Sequence, residues 1–337
     1  VTVITKIASA TKKTKIQQNQ VENVILTLRV NMSKRIFLFP GQGSQYVGMG
    51  QSLAKSFPQA ATLLAEADEI LGFSLSKLMA EGPEELLKST DNTQPALFTC
   101  SMMVMELLKS EGYSADYVAG HSLGEYSAIC AAGGFTFADG LRLVRTRGEL
   151  MASAGSKEPG AMAAIMGQEE EKVLELCNKV RNEGIVVPAN LNCPGQIVVS
   201  GAVKGIQKIV EIAAAEGIKA IPLAVSGAFH SPLMQFAQEG LAQAIENVEF
   251  KDLTTPLIAN VTAEPVCSGS EIKDLLVRQL VSPVRWNDSM NKAISLGVTQ
   301  GVEIGSGKVL MGLMRKISRD VKVYPIETLE AFQSLKE

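Results

Sequence analysis

No apolar run in the 337 residues approaches the roughly 18–20 that a membrane-spanning helix requires, and the N-terminus lacks the apolar core of a signal peptide. The expectation is a cytoplasmic protein that neither spans a membrane nor leaves the cell. No C-x-x-C pair occurs: the five cysteines, Cys100, Cys130, Cys177, Cys193 and Cys267, are odd in number and scattered. They read as reduced thiols rather than as metal ligands or a disulfide framework. Basic charge is not in excess beyond the N-terminus. Residues 1–31 hold five of the 32 basic residues against only Glu22 of the 35 acidic ones, which leaves the remainder at a net −7 and argues against nucleic-acid binding. Histidine is scarce: His121 and His230 are the only two, so chemistry that needs an imidazole base has a short choice.

What is present is an ordinary globular composition, 46% hydrophobic, in a chain long enough for two domains' worth of core. Residues 1–31 show weak periodicity and are expected to be a disordered leader, with Met32 as a candidate natural start and an organelle transit peptide as the alternative. Ile36 to Phe39, ended by Pro40-Gly41, predicts a strand buried on both faces. Asp116 to Ala119 predicts a second, leading through Gly120 and Ser122 into a small-residue helix from Glu125 to Ala132. Strands alternating with helices predict an α/β fold with a mainly parallel sheet. From Gly160 the pattern becomes β-α-β-β-α-β, the order of a ferredoxin-like unit, and a lone strand predicted at Pro256 to Val261 returns with the C-terminal helices to the large domain. The expected organisation is a large, hydrolase-like α/β domain from 32–157 and 227–325, a ferredoxin-like small domain inserted at 158–226, and a C-terminal tail at 326–337.

Gly120-His121-Ser122-Leu123-Gly124 is a G-x-S-x-G sequence between a predicted strand and a predicted helix. Glycines there let the backbone turn sharply enough to project a serine hydroxyl, and the helix N-terminus behind it favours developing negative charge. A tight turn with an incidental serine is the plainer alternative. His121 adjoins Ser122, and neighbouring side chains at such a turn diverge, so it is expected to pack or to hydrogen-bond. His230 is the better base: it lies in the loop from Ser226 to Ser231, ahead of Pro232, a good first helical residue. The base needs an acceptor to fix its tautomer, and the main-chain carbonyl of Gln279 is a candidate, because the residue four positions on is Pro283, which has no N–H. Arg147 has Leu143, Val144, Leu150 and Met151 at helical spacing, so it points where a core residue should. A buried guanidinium needs an anion, either a substrate carboxylate gripped bidentately or a carboxylate of the protein itself. Arg142 and Arg145 share faces with Asp139 and Glu149 and read as solvated.

Two glycine-rich stretches fail as nucleotide loops. Gly43 to Gly48 has Met49 where a P-loop needs lysine, and Gly307-Lys308 has Val309 in place of Ser or Thr. The segment Pro40 to Gln45 is a tight turn whose amides could also supply half of an oxyanion hole.

Taken together, Phe39-Pro-Gly-Gln-Gly-Ser-Gln45, Gly120-His-Ser-Leu-Gly-Glu-Tyr126, Arg147-Gly148, Phe229-His230 and Val277-Arg-Gln-Leu280 resemble the malonyl-CoA:acyl-carrier-protein transacylases of fatty-acid synthesis, in order from about Ser33 to Ile317. The resemblance implies Ser122 as nucleophile, His230 as base, the Gln279 carbonyl as its orienter, Arg147 as clamp for the malonyl carboxylate, and the amides of Gln42 and Leu123 as oxyanion hole. It implies malonyl-CoA and acyl-carrier protein as partners and no metal or other cofactor; no nucleic-acid partner is expected from the charge balance, and a monomer is expected although the sequence itself leaves the oligomeric state open. Phe229, before the histidine, matches the malonyl type of the related polyketide acyltransferases, although Gly227 departs from that pattern. Lys157 and Arg285 would suit an acidic carrier. Two other readings stand beside this one: a serine esterase or thioesterase, against which 107 residues after the last histidine argue, and a non-catalytic docking module. A malonyl-loading role in a polyketide pathway is a further alternative.

Overall fold

A computed structural model describes residues 33–225 and 227–334, so the expected leader at 1–31 and the candidate start at Met32 lie outside the described residues. Lys34–Phe39 forms β1, the strand its apolar run predicts. Four short helices follow, α1 (Gln51–Ser56), α2 (Pro58–Leu71), α3 (Leu75–Glu81) and α4 (Glu84–Lys88), and then the long α5 (Thr90–Ser110). Next come β2 (Tyr117–Gly120), α6 (Leu123–Ala131) and α7 (Phe137–Lys157). The chain continues with β3 (Gly160–Met166), α8 (Glu170–Lys179), β4 (Val186–Cys193), β5 (Gln196–Ala202), α9 (Val203–Ala215) and β6 (Lys219–Pro222). The last part holds α10 (Gln235–Glu246), β7 (Leu257–Ile258), β8 (Pro265–Val266), α11 (Gly269–Gln279), α12 (Trp286–Ser295), β9 (Val298–Ile304), α13 (Val309–Ile317), β10 (Lys322–Ile326) and α14 (Leu329–Ser334).

Six strands make one sheet in the order β10-β9-β1-β2-β7-β8, parallel except for the β7–β8 pair. In β1, Phe37 and Phe39 enter the core built around α5, α6 and α7, while Ile36 and Leu38 enter a second core with Trp286 and Met290 of α12 and Leu310 of α13. Alternate side chains buried on opposite faces explain the unbroken apolar run. Parallel neighbours from distant parts of the chain bring the C-terminal ends of β1 and β2 side by side, which is where open α/β sheets place their sites.

The segment from Gly160 to Pro222 forms a separate four-stranded antiparallel sheet in the order β4-β5-β3-β6, with α8 and α9 on one face, the ferredoxin-like arrangement. Ala163 and Ile165 face those helices, whereas Met162 and Ala164 pack into the large core. Its edge strand is stitched to the large unit: Leu191 N–H donates to Val284 O at 2.9 Å and Val284 N–H to Ala189 O at 2.8 Å.

Some expectations were displaced. The strand predicted at Pro256 to Val261 narrows to two residues, because Ala259 N–H turns to Glu264 O and Asn260 is drawn into side-chain bonds. Residues 326–337 were expected as a tail; instead Ile326 ends β10 and α14 buries Phe332 against Phe57, with ring centroids 5.5 Å apart. Arg145 is not solvated: three-quarters buried, it donates to Asp91 O and Asn92 Oδ1 and pairs with Glu149, tying α7 to the start of α5. All five cysteines are free thiols, and among the described residues no helix is long and apolar enough to cross a membrane.

Candidate active site

Ser122 stands between β2 and α6 at φ 53°, ψ −105°, a left-handed conformation that costs a non-glycine residue about 1–3 kcal/mol and persists only where its surroundings enforce it. Those surroundings are glycines and an asparagine. A Cβ on Gly120 would lie 1.9 Å from the Gly124 carbonyl, one on Gly124 would lie 2.0 Å from Phe39 O, and one on Gly41 2.3 Å from His121 O. Asn260 then pins the turn: its Oδ1 accepts the Ser122 N–H at 2.8 Å and its Nδ2 donates to Gly120 O at 2.7 Å.

His230 arrives on the loop ahead of the 3-10 turn Pro232–Met234, itself at φ 58° and only 3% exposed. Its Nε2 faces Ser122 Oγ at 2.7 Å and its Nδ1 faces Gln279 O at 2.9 Å. The carbonyl can only accept, so Nδ1 carries the proton and Nε2 presents a lone pair to the hydroxyl. Helix α11 ends at Gln279 as the Pro283 argument requires, although the carbonyl also accepts the Ser282 N–H at 3.3 Å. Burial, reinforced by the nearby Arg147 cation, pushes the imidazole down to about 3, so it is neutral at ordinary pH.

Arg147 is 1% exposed, and among the described residues no carboxylate pairs with it directly. Two amide oxygens hold it instead: Nη1 donates to Gln94 Oε1 at 2.7 Å and Nη2 to Gln279 Oε1 at 3.0 Å. Nη2 also donates to Ser122 Oγ at 3.0 Å, and Nε is buried without a hydrogen-bond partner. The cation therefore sits against the hydroxyl with hydrogen-bonding capacity to spare, which favours an anionic group arriving beside Ser122.

The mouth above these groups is lined by Gln42, Leu123 and Asn190, with Met151, Met162 and Phe229 forming its apolar wall. Leu123 is the first residue of α6, where a backbone N–H has no intrahelical acceptor. Gln42 follows β1, and its Oε1 accepts from Thr90 Oγ1 at 2.8 Å. Gly227 has a steric reason: a Cβ there would lie 2.9 Å from the Phe229 ring. His121 bonds Asn192 Oδ1 at 2.9 Å and packs on Trp286, the packing or hydrogen-bonding role expected of it. Lys157 Nζ lies 3.2 Å from the Phe236 ring centroid, while Arg285 is paired with Asp288 at 2.8 Å. Among the described residues no cluster of His, Cys, Asp or Glu is placed to hold a metal ion.

Every residue singled out from the sequence as nucleophile, base, orienter, clamp, oxyanion donor or specificity residue thus borders one cleft or bonds a residue that does. Sequence reasoning missed Gln94, Glu125, Asn260 and the side chain of Gln279. The one available signal was Glu125, a lone acid in an otherwise small and apolar helix.

A hydroxyl bonded to a neutral, oriented imidazole beside a helix-terminal amide can attack an acyl carbonyl. Comparison with known proteins agrees with that chemistry. The acyl transferase domain family matches residues 36–329. The malonyl CoA-acyl carrier protein transacylase of Bacillus subtilis (strain 168) is 50% identical over 312 residues, spanning 91% of this chain and 98% of the relative. The crystal structure of acyl-carrier-protein-S-malonyltransferase from Bartonella henselae superposes with a TM-score of 0.87 at 42% identity, over 90% of this chain and 98% of that one. A type II PKS acyl-carrier protein in complex with its malonyl-transacylase gives 0.86 at 38% identity, over 90% and 98%. The chain belongs to the acyl transferase domain family and, within it, to the malonyl CoA-acyl carrier protein transacylases.

Proposed function

We propose that this chain moves a malonyl group from malonyl-CoA to the thiol of acyl-carrier protein through a malonyl ester on Ser122, as in fatty-acid synthesis. The carrying observation is that a single oxygen, Ser122 Oγ, meets both the imidazole Nε2 at 2.7 Å and the Arg147 guanidinium at 3.0 Å. In a malonyl ester the free carboxylate lies only two bonds from the reacting carbon, so a cation beside the attacking oxygen suits this short diacid.

In the first half-reaction Ser122 Oγ bonds to the thioester carbonyl carbon as its proton passes to His230 Nε2. The amides of Gln42 and Leu123 receive the developing oxyanion. The carbon–sulfur bond then breaks, and the coenzyme A sulfur leaves with the proton from His230. In the second, the carrier thiol gives its proton to His230 and attacks the ester, and Ser122 recovers its proton. Every group comes from one chain, which supports action as a monomer. Phe229 closes the pocket beside the acyl carbon against a methyl branch, and Lys157 at the neighbouring surface meets the acidic carrier.

Loading assays test the clamp. Arg147→Ala is expected to lower the malonyl-to-acetyl loading ratio by on the order of 10⁴, the scale on which a site built for a polar group rejects an analogue lacking it. An unchanged ratio would assign the arginine to the fold instead.

A further inference from the structure

Helix α6 is buried along nearly its whole length, and Glu125 is the acid within it, 1% exposed. Among the described residues no lysine or arginine pairs with this carboxylate; its two oxygens face two N–H donors. Oε1 accepts the backbone N–H of Asn260 at 2.7 Å and Oε2 accepts Gln279 Nε2 at 2.5 Å. Ionised, as it is above about pH 7, this carboxylate can only accept, and it then dictates which way the Gln279 amide lies. The amide NH₂ must face Glu125, where it also reaches Ser122 O at 2.9 Å, and the amide oxygen is left facing Arg147 Nη2 at 3.0 Å. The reverse orientation would set an NH₂ against the guanidinium and an amide oxygen against two other oxygens.

We propose that Glu125 is a positioning residue for the acyl-group carboxylate: through the Gln279 amide it sets the direction of the Arg147 guanidinium, and with it the preference for an acidic over a neutral acyl group. This rests on the reading of Arg147 as the clamp. A carboxylate bonded directly to Arg147 would compete with the substrate. Placed one amide away, Glu125 orients the cation without occupying its N–H groups. The opposite end is held in the same indirect way, since Gln94 Oε1 accepts from Nη1 while Gln94 Nε2 is fixed by Thr90 Oγ1 at 3.0 Å. Burial raises the Glu125 carboxyl to about 7; the Asn260 and Gln279 donors and then the Arg147 cation oppose that rise, and the remaining titratable neighbour is Tyr126.

Glu125→Gln tests the relay almost without change of volume. Its new NH₂ must confront one of the two donors; the Asn260 N–H is backbone and cannot turn, so the Gln279 amide turns and presents its own NH₂ to Arg147. The malonyl-to-acetyl loading ratio is expected to fall at least about tenfold, the scale of one hydrogen bond to a charged group, through a raised KM for malonyl-CoA. Gln279→Met, which keeps the carbonyl that His230 uses, is expected to do the same and decides the matter if Glu125→Gln does not fold. Equal losses with both acyl groups, or an unaltered ratio, would overturn the relay. Arg147→Ala run in parallel separates the two failures: if its ratio collapses while the other variants keep theirs, only the relay is wrong, whereas if it too keeps the ratio the clamp itself is wrong.

Discussion

At Ser122 and His230 the backbone adopts positive φ at two non-glycine residues that face each other across 2.7 Å. Strain of this kind survives because Asn260, the Gln279 carbonyl and three glycines over-determine both positions. The proton balance at His230 has a measurable sign. The imidazole works as a base only when neutral, and burial with the Arg147 cation holds it at about 3 rather than the ordinary value near 6.5. With an acetyl thioester, which makes no demand on the clamp, the acid limb of kcat/KM is expected well below pH 6.5. Arg147→Ala, by removing the cation, should move that limb upward; a wild-type limb at 6.5 or above would contradict the assignment. Individual residues were legible to unequal degrees. Ser122 announced itself because a turn of that kind needs glycines at fixed spacing, and His230 because histidine is scarce. Asn260 and Gln94 were not legible: each is an ordinary polar residue on its own element, and only the folding of distant segments supplies its partner.

Helices and strands carry the site through their ends. β1 and β2 finish side by side, α6 begins at Ser122, α11 stops where its last carbonyl can meet an imidazole, and α7 carries the guanidinium on its apolar face. Close approach at the first of these junctions makes glycine obligatory, so Gly124→Ala, whose methyl would lie 2.0 Å from Phe39 O, is expected to cost at least about 3 kcal/mol in urea unfolding. A loss under 1 kcal/mol would mean the turn relaxes easily. Phe229 belongs to this scale too, since the Gly227-Ala228-Phe229 segment folds the ring against the pocket. Phe229→Ala should raise methylmalonyl loading relative to malonyl by roughly tenfold or more, the worth of a methyl-sized space. No gain would place the exclusion elsewhere, in Met151 or Met162. Apolar periodicity predicted these elements well, and polar bonding at their ends moved the boundaries: β7 is short because Asn260 leaves the ladder to serve Ser122 and Glu125, and Arg145 is drawn inward by Asp91 and Asn92.

On the scale of the whole molecule, two sheets meet over one cleft. The unit built on the six-stranded sheet carries Ser122, His230 and Arg147, and the four-stranded sheet turns Met162 and Asn190 toward them while its far face is covered by α8 and α9. The change of texture at Gly160 made the second unit visible in the sequence. Its docking was not visible, because the main-chain bonds between β4 and Val284 and the bond from His121 to Asn192 depend on no recognisable motif. On the proposed function, these assembled groups make Ser122 the way-station for a malonyl group. Mixing the protein with malonyl-CoA, mapping the adduct by peptide mass spectrometry, and then adding acyl-carrier protein bearing its thiol tests it most directly. A malonyl ester is expected on the peptide containing Ser122, absent in Ser122→Ala, and discharged to the carrier faster than to water. No adduct on Ser122, or free malonate released as fast without the carrier as with it, would contradict it.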